Sequence, residues 1–412
     1  MKISTVRARE IFDSRGIPTV ECDIGLSDGM IVTASVPAGI SCGTHEAVEL
    51  RDGGDRLMGL GVQKAVRVIE DIIAPLLIDK APDFIAFDIE VLNLDETNNK
   101  SHLGANTILA TSIAVCKAQA YMEAFELYEF IAHISQRSTV ALPCPMFNLL
   151  GGGLHADNNF HIQELLIVPT KELSFHDAMN TGVSVYHSLK EILRAKGKTT
   201  AVGYEGGFVP SFNNTYEAFD ILMEAIDKSG AASNVMIALD VAASHLHNSQ
   251  TGLYKWLGNE ISSHELIAWY SDLISRYPIY SIEDGLGESD WNGWRDMKQE
   301  LGSRVKLVGD DLFVTDPQRI WYGIEKDSAT TVLIKPNQIG TVTETLQAIQ
   351  LCKENDWDVI VSHRSGETND SFIADLAVGV SAGLIKAGGC SRGERMAKYN
   401  RLLRIEQILM AK

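Results

Sequence analysis

The sequence predicts an α/β protein, a (β/α)8-type barrel preceded by a smaller α+β domain, and three observations carry that expectation. In the second part of the chain, six short apolar runs each end in an acid or a base, with amphipathic helix signals between them. Before them lie a hairpin signal and helical stretches that lack this rhythm. Between the two regimes Pro143 and Pro145 stand one residue apart, a break in regular structure that suits a domain boundary.

Taken in order, residues 17 to 36 alternate apolar and polar on both sides of Asp28-Gly29, a pair that favours a tight turn because glycine accepts positive φ. An antiparallel ribbon is therefore expected to open the chain. Beyond Ala38-Gly39-Ile40-Ser41-Cys42-Gly43, apolar residues recur at helical spacing over roughly 61–78 and 103–133. The boundary falls at Ser138–Pro145, giving an N-terminal domain of residues 1–137 and a barrel of residues 138–412.

In the barrel, Val235–Leu239 ends at Asp240, Ile279–Ile282 at Glu283 and Val305–Gly309 at Asp310. Thr331–Ile334 ends at Lys335, Val359–Ser362 at His363 and Leu384-Ile385 at Lys386. Asp316-Pro317 reads as an N-cap and first helical residue, Thr341 with Glu344 as a capping box, and Gly230 as the end of a helix begun near Tyr216. Serial βα units with polar strand ends are what a barrel shows, because its active site gathers at the C-terminal ends of the strands. An open doubly wound sheet is the alternative, but it gives six strand ends no reason to converge.

Composition narrows the partners. A chain of 412 residues, 45% hydrophobic and 22% charged, can bury two cores. Its 36 Lys plus Arg against 54 Asp plus Glu give a formal charge of −18, which repels nucleic acid and anionic membranes, so neither is an expected partner. An anionic substrate would need local positive charge, from clustered basic side chains or a bound cation. The six cysteines include no CxxC pair and read as a reduced set, which points to the cytoplasm. Met1–Arg7 lacks the apolar core of a signal peptide, and no run of about 18 apolar residues suggests a membrane span.

Asp240, Glu283 and Asp310 on neighbouring strands would bring three hard oxygen donors to one point, a set suited to Mg2+. A lone acid at a strand end is more often a helix cap, but three in order, followed by Lys335 and Lys386, form a site. Asp284 and Asp311 read as supports for these ligands. Lys335 ends an apolar strand, where burial and positive neighbours are expected to lower its pKa and make it a general base. Glu164 in His161-Ile162-Gln163-Glu164 and Glu205 in Gly203-Tyr204-Glu205-Gly206-Gly207 end two earlier segments and form a candidate carboxyl pair. One of two close carboxyls keeps its proton and can act as an acid toward a departing hydroxide. Ser362-His363-Arg364-Ser365-Gly366 offers a planar cation and a hydroxyl suited to phosphate or carboxylate. Gly151-Gly152-Gly153-Leu154-His155 is a flexible loop with one histidine. Gly59-Leu60-Gly61 and Gly285-Leu286-Gly287 lack the third glycine of a dinucleotide fingerprint.

Six segments together resemble one family: Ile11–Gly16, His45-Glu46-Ala47, Ser281–Asp284, Gly309–Leu312, Lys335–Thr341 and Ser362–Thr368 are similar to enolase, phosphopyruvate hydratase. The resemblance spans essentially the whole chain and marks it as a divergent bacterial-type member. It implies an N-terminal α+β domain on a modified eight-stranded βα barrel, a homodimer or octamer, and the Mg2+-dependent, reversible dehydration of 2-phosphoglycerate to phosphoenolpyruvate in glycolysis.

By matching position, it implies that Asp240, Glu283 and Asp310 bind Mg2+, that Lys335 abstracts the C2 proton, and that Glu205, partnered by Glu164, protonates the leaving hydroxyl. Lys386 would meet the substrate carboxylate, Arg364 and Ser365 the phosphate, while His155, Gln163 and His363 complete the pocket. Ser41 would ligate a second Mg2+ that arrives with substrate. The resemblance also brings a cell-surface or secreted location beside the cytoplasmic one.

The chain departs from the family pattern at Tyr204, where Asp is usual, at Ile40 and Cys42 beside Ser41, at Gly151 and Leu154, at His245 and at Cys390. These departures suggest one competing reading, a weakly active or inactive relative serving as a binding or surface protein; a second is a barrel that keeps metal and base but acts on another carboxylate substrate, and the intact Arg364-Ser365 pair speaks against it.

Overall fold

The computed structural model describes residues 1–39, 43–170 and 172–411. The chain opens with an antiparallel sheet in the order β1 (Ile3–Phe12), β2 (Pro18–Leu26) and β3 (Ile31–Ser35). Asp28-Gly29 makes the expected hairpin turn, with Gly29 at φ +94°. The ribbon has one strand more than the sequence pattern gave. β1 is an edge strand, and most of its side chains, Arg7 and Arg9 among them, lie outside the core, so it carries no clean apolar alternation.

Helix Ala105–Met122 packs on β2 and β3 and is buried along most of its length. The predicted helix over 61–78 is α-helical at Gln63–Arg67 and Ala74–Leu77 with a π-helical turn, Val68–Ile73, between. Pro75 has no N–H to continue an α ladder through that turn. Helix Phe84–Asp95, capped by Asp83 through the Ala86 N–H at 3.0 Å, is an addition.

The barrel strands are β4 (Cys144–Gly151), β5 (Glu164–Pro169), β6 (Val235–Asp240), β10 (Ile279–Glu283), β11 (Lys306–Gly309), β12 (Thr331–Ile334), β13 (Asp358–Ser362) and β14 (Leu384–Lys386). They close in the order β10-β11-β12-β13-β14-β4-β5-β6. A three-stranded sheet of β7 (His247–Asn248), β8 (Leu253–Trp256) and β9 (Asn259–Ile261) interrupts the βα rhythm after β6.

The expected uniform βα repeat needs one correction. β5 runs antiparallel to both β4 and β6, while the other barrel pairs are parallel. β4 and β5 are joined without a crossover α-helix, and a strand that returns directly lies antiparallel to its neighbour. The reversal has a functional consequence: the first residue of β5, Glu164, pairs with Gly151 and with Asp240, the last residues of β4 and β6. Side chains of Met146, Leu166, Val168, Ala238, Val308, Leu333, Ile360 and Leu384 fill the barrel interior.

The predicted caps form. Asp316 accepts from the Gln318 N–H at 2.8 Å with Pro317 first in its helix, and Gly230, at φ +78°, follows helix Thr215–Lys228. Thr341 caps Val342–Glu354, but the Glu344 carboxylate takes the Thr341 hydroxyl and the Lys100 ammonium, both at 2.7 Å, rather than closing the box on backbone. Among the described residues, no helix is long and apolar enough to cross a membrane.

Candidate active site

Three acids end three adjacent strands, as their spacing predicts. Glu283 on β10 stands in register with Asp240 on β6, and Asp310 directly follows β11. All three are buried, and Lys386, at the end of β14, reaches across the barrel mouth to two of them, Asp240 and Glu283. Its ammonium lies 2.9 Å from Asp240 Oδ2, 2.9 Å from Glu283 Oε1 and 3.1 Å from Glu164 Oε2. Lys335, following β12, forms an ion pair with Asp310 Oδ2.

Asp284 is oriented as the expected support, accepting the backbone N–H of Asp310 at 2.9 Å and of Asp311 at 2.8 Å. Gln338 adds a donor to Asp310 Oδ1 at 2.8 Å.

Negative charge here exceeds what the two lysines neutralise. Burial first, then the charge of Asp240, pushes Glu283 well above the ordinary carboxylate range. Burial and the Asp311 and Asp310 charges do the same to Asp284, and Asp311 is pushed up to about 8 by burial and Asp310. Asp240 stays below its ordinary value because Lys386 outweighs the effect of burial. Among the described residues, Asp284, Asp310 and Asp311 bring oxygens within 4.8 Å of one another, whereas Asp240 and Glu283 of the predicted set are joined through Lys386; together these buried oxygen donors suit a hard divalent cation such as Mg2+.

Lys335 departs from expectation. Burial is the largest single influence and lowers its pKa as predicted, but with the facing carboxylates, Asp310 first and then Glu283, the net shift is upward. The ammonium is stabilised as long as Asp310 faces it.

On the opposite wall, Glu164 heads β5 and does not end a segment, and Glu205 lies in a turn between the isolated bridge residues Val202 and Phe208. The reversal of β5 still delivers Glu164 to the active end. His155 Nδ1 is 3.6 Å from Glu164 Oε1 and 3.7 Å from Glu205 Oε1, so the three meet as a cluster. Burial, followed by the neighbouring Glu205 charge, pushes Glu164 well above the ordinary carboxylate range. Burial holds His155 below its usual value despite these acids. Both ring nitrogens of His155 and Oε1 of Gln163 are buried without a hydrogen-bond partner among the described residues, and both residues line the cavity.

One small polar cavity collects these groups: His155, Gln163, Glu164, Glu205, Asp240, Lys335, Ser362, His363, Arg364, Ser365 and Lys386 line it. Arg364 is anchored from outside the barrel, where Glu46 of the N-terminal region accepts from its Nη1 at 2.8 Å and its Nη2 at 3.2 Å. Asn337 Oδ1 accepts from the same Nη1 at 3.1 Å. Ser41 lies outside the described residues.

Sequence reasoning missed Glu46, Asn337, Gln338 and Arg395 as parts of the site. Glu46, Asn337 and Gln338 sit inside segments that carry the resemblance, and that was their only signal. Arg395, on the C-terminal helix Gly393–Ala411, carried none.

Among the departures, Tyr204 is 45% exposed and meets the site through its backbone carbonyl, which accepts from Arg395 at 3.0 Å. Leu154 is also largely exposed, while His155 beside it is buried.

Two family models cover nearly the entire chain. The one described as "Enolase, N-terminal domain" matches residues 3–131, and the one described as "Enolase, C-terminal TIM barrel domain" matches residues 139–412.

Proposed function

The chain belongs to the enolase family, and from that premise we propose that it catalyses the reversible dehydration of 2-phospho-D-glycerate to phosphoenolpyruvate with Mg2+. The observation that carries the proposal is the single cavity whose wall holds a base, an acid pair and an anion-binding cluster at once. Dehydration removes a proton from C2 and a hydroxide from C3, so base and acid must face one substrate from different sides.

Mg2+ held by Asp240, Glu283 and Asp310 would stabilise the negative charge that develops on the substrate carboxylate as the C2 proton leaves. Lys335 takes that proton. Asp310 and Glu283 are the neighbours that raise its pKa; once their oxygens serve as ligands, burial and the charges of Arg364 and Lys386 all favour the neutral amine. Lys386 and the cation together neutralise the substrate carboxylate. Glu205, with Glu164 beside it, protonates the departing 3-hydroxyl, which leaves as water.

Arg364 and Ser365 hold the phosphate, with Arg364 kept in place by Glu46 and Asn337. His155, Gln163 and His363 orient the substrate, and Ser41 would supply a ligand to a second Mg2+. The same reading makes the protein a cytoplasmic glycolytic enzyme, a homodimer or an octamer, with residues 1–137 as the N-terminal domain and the barrel beginning near residue 138.

The test follows phosphoenolpyruvate by its ultraviolet absorbance, starting from 2-phosphoglycerate with and without Mg2+. The natural chain gives a Mg2+-dependent signal, and Lys335→Ala loses it by about 100-fold or more. No signal from the natural chain with Mg2+ rejects the proposal.

A further inference from the structure

Arg395 is fully buried, yet its ion-pair neighbour, Glu394, lies only beside Nε, at 3.3 Å and outside hydrogen-bond alignment. The rest of the guanidinium is spent on the active site. Nη1 donates to the Arg364 carbonyl at 2.6 Å and meets His363 Nδ1 at 2.5 Å. Nη2 donates to the Ser365 carbonyl at 2.6 Å and to the Tyr204 carbonyl at 3.0 Å. One side chain thus ties the loop after β13, with His363, Arg364 and Ser365, to the turn that carries Glu205.

Room is made for it: Gly388, at φ +90°, is so close that a Cβ there would lie 2.7 Å from Arg395 Cδ and 2.7 Å from the Glu205 carbonyl. Gly389 N–H donates to that same carbonyl at 2.7 Å. The loop after β14, the acid turn and the arginine stem are packed as one unit.

The contact with His363 has a chemical consequence. Arginine has only N–H donors, so a ring nitrogen facing it must accept, and an accepting Nδ1 carries no proton. The imidazole is then neutral with its proton on Nε2, and Nε2 lies 3.6 Å from Glu205 Oε2. The surroundings agree: burial first, then the charges of Arg395, Lys386, Lys335 and Lys398, disfavour a second proton, against the acid that faces Nε2, Glu205.

We propose that Arg395 is a positioning residue that fixes His363 as an Nε2–H donor aimed at Glu205 and locks the acid turn to the loop carrying Arg364 and Ser365. It acts through His363 and Glu205, on the hydroxyl-leaving half of the reaction, and leaves Lys335 alone. The kinetic consequence rests on the proposed dehydration; the protonation state of His363 does not, so the two can fail separately.

The direct test is 15N NMR of the full natural chain labelled at histidine, with His363 assigned by loss of its signals in His363→Gln. The expected result is an unprotonated, acceptor-type shift at Nδ1 and a protonated shift at Nε2, unchanged across neutral pH. A proton on Nδ1, or a doubly protonated ring, overturns the proposal whether or not any variant folds.

The second arm compares Arg395→Lys and Arg395→Gln by two rates: phosphoenolpyruvate formation, and exchange of the substrate C2 proton with deuterated solvent. Positioning predicts that Arg395→Gln loses at least about tenfold in dehydration while exchange per folded molecule stays near the natural value, with partial rescue in Arg395→Lys. Equal loss of both rates in the folded fraction means a merely structural role and overturns the proposal.

Discussion

The two walls of the barrel mouth are built by different means. On one wall, Asp240, Glu283, Asp310, Lys335 and Lys386 stand at or just beyond the ends of strands, where the barrel ladder fixes both position and direction. On the other, Glu205 sits in a turn, His155 in a single 3-10 turn and Glu164 on the one reversed strand. The first wall is placed by its own backbone. On the second, the ladder still fixes Glu164, but the Glu205 turn is held by residues elsewhere in the chain: Arg395 from the C-terminal helix, Gly388 and Gly389 from the loop after β14, and His363 from the loop after β13. A site can therefore be rigid for two reasons, and only the first is local.

The largest expected effect breaks the first wall. Lys386 is the shared counter-charge of Asp240, Glu283 and Glu164, so Lys386→Met leaves three buried acids facing one another. Losing one partner of a buried ion pair costs about 3–5 kcal/mol, and urea unfolding in the presence of a chelator should show a loss of that order. Added Mg2+ should recover part of it, because the cation restores positive charge among the same oxygens.

A smaller effect breaks the second wall. Gly388→Ala adds a methyl group at φ +90°, against Arg395 and the Glu205 carbonyl, and should cost about 1–3 kcal/mol in unfolding while slowing dehydration more than it raises KM. An equal substitution cost with unchanged kcat would mean that this packing does not position the acid.

The smallest effect concerns Tyr204. Its ring points toward solvent, and only its carbonyl is used, so Tyr204→Asp should change kcat by no more than about two- to threefold, the range of ordinary surface substitutions. A large gain would show that the ring or the missing carboxylate controls Glu205 after all.

The same contrast explains what could be read from the sequence. An apolar run that ends in a charged residue announces a barrel strand and its active end together, so the acids and lysines of the first wall were legible as an ordered set, though not one by one. β1 was not, because an exposed edge strand has no apolar face to alternate. The direction of β5 was not, because an apolar run reads the same in either sense and only the missing crossover helix distinguishes the two.

His155 was legible as a site residue only through the family resemblance, and Glu205, read with Glu164 as a carboxyl pair, was expected at the end of a segment rather than in a turn, since single polar residues in glycine-rich turns have no periodicity. Arg395 was hidden because its role lies in carbonyl contacts across more than 190 positions of chain, as with Tyr204. The pKa of Lys335 was misjudged for a related reason: burial can be inferred from an apolar strand, but the opposing Asp310 is set by the fold.

The central claim, that the two walls carry separate halves of one reaction, is tested most directly by following exchange of the C2 proton of 2-phosphoglycerate with deuterated solvent in Lys335→Ala and Glu205→Gln, with Mg2+ present. Both variants should lose phosphoenolpyruvate formation by roughly 100-fold or more. Exchange should vanish in Lys335→Ala and persist in Glu205→Gln, whose base is untouched. Exchange lost equally in both variants, or retained in Lys335→Ala, would contradict the account.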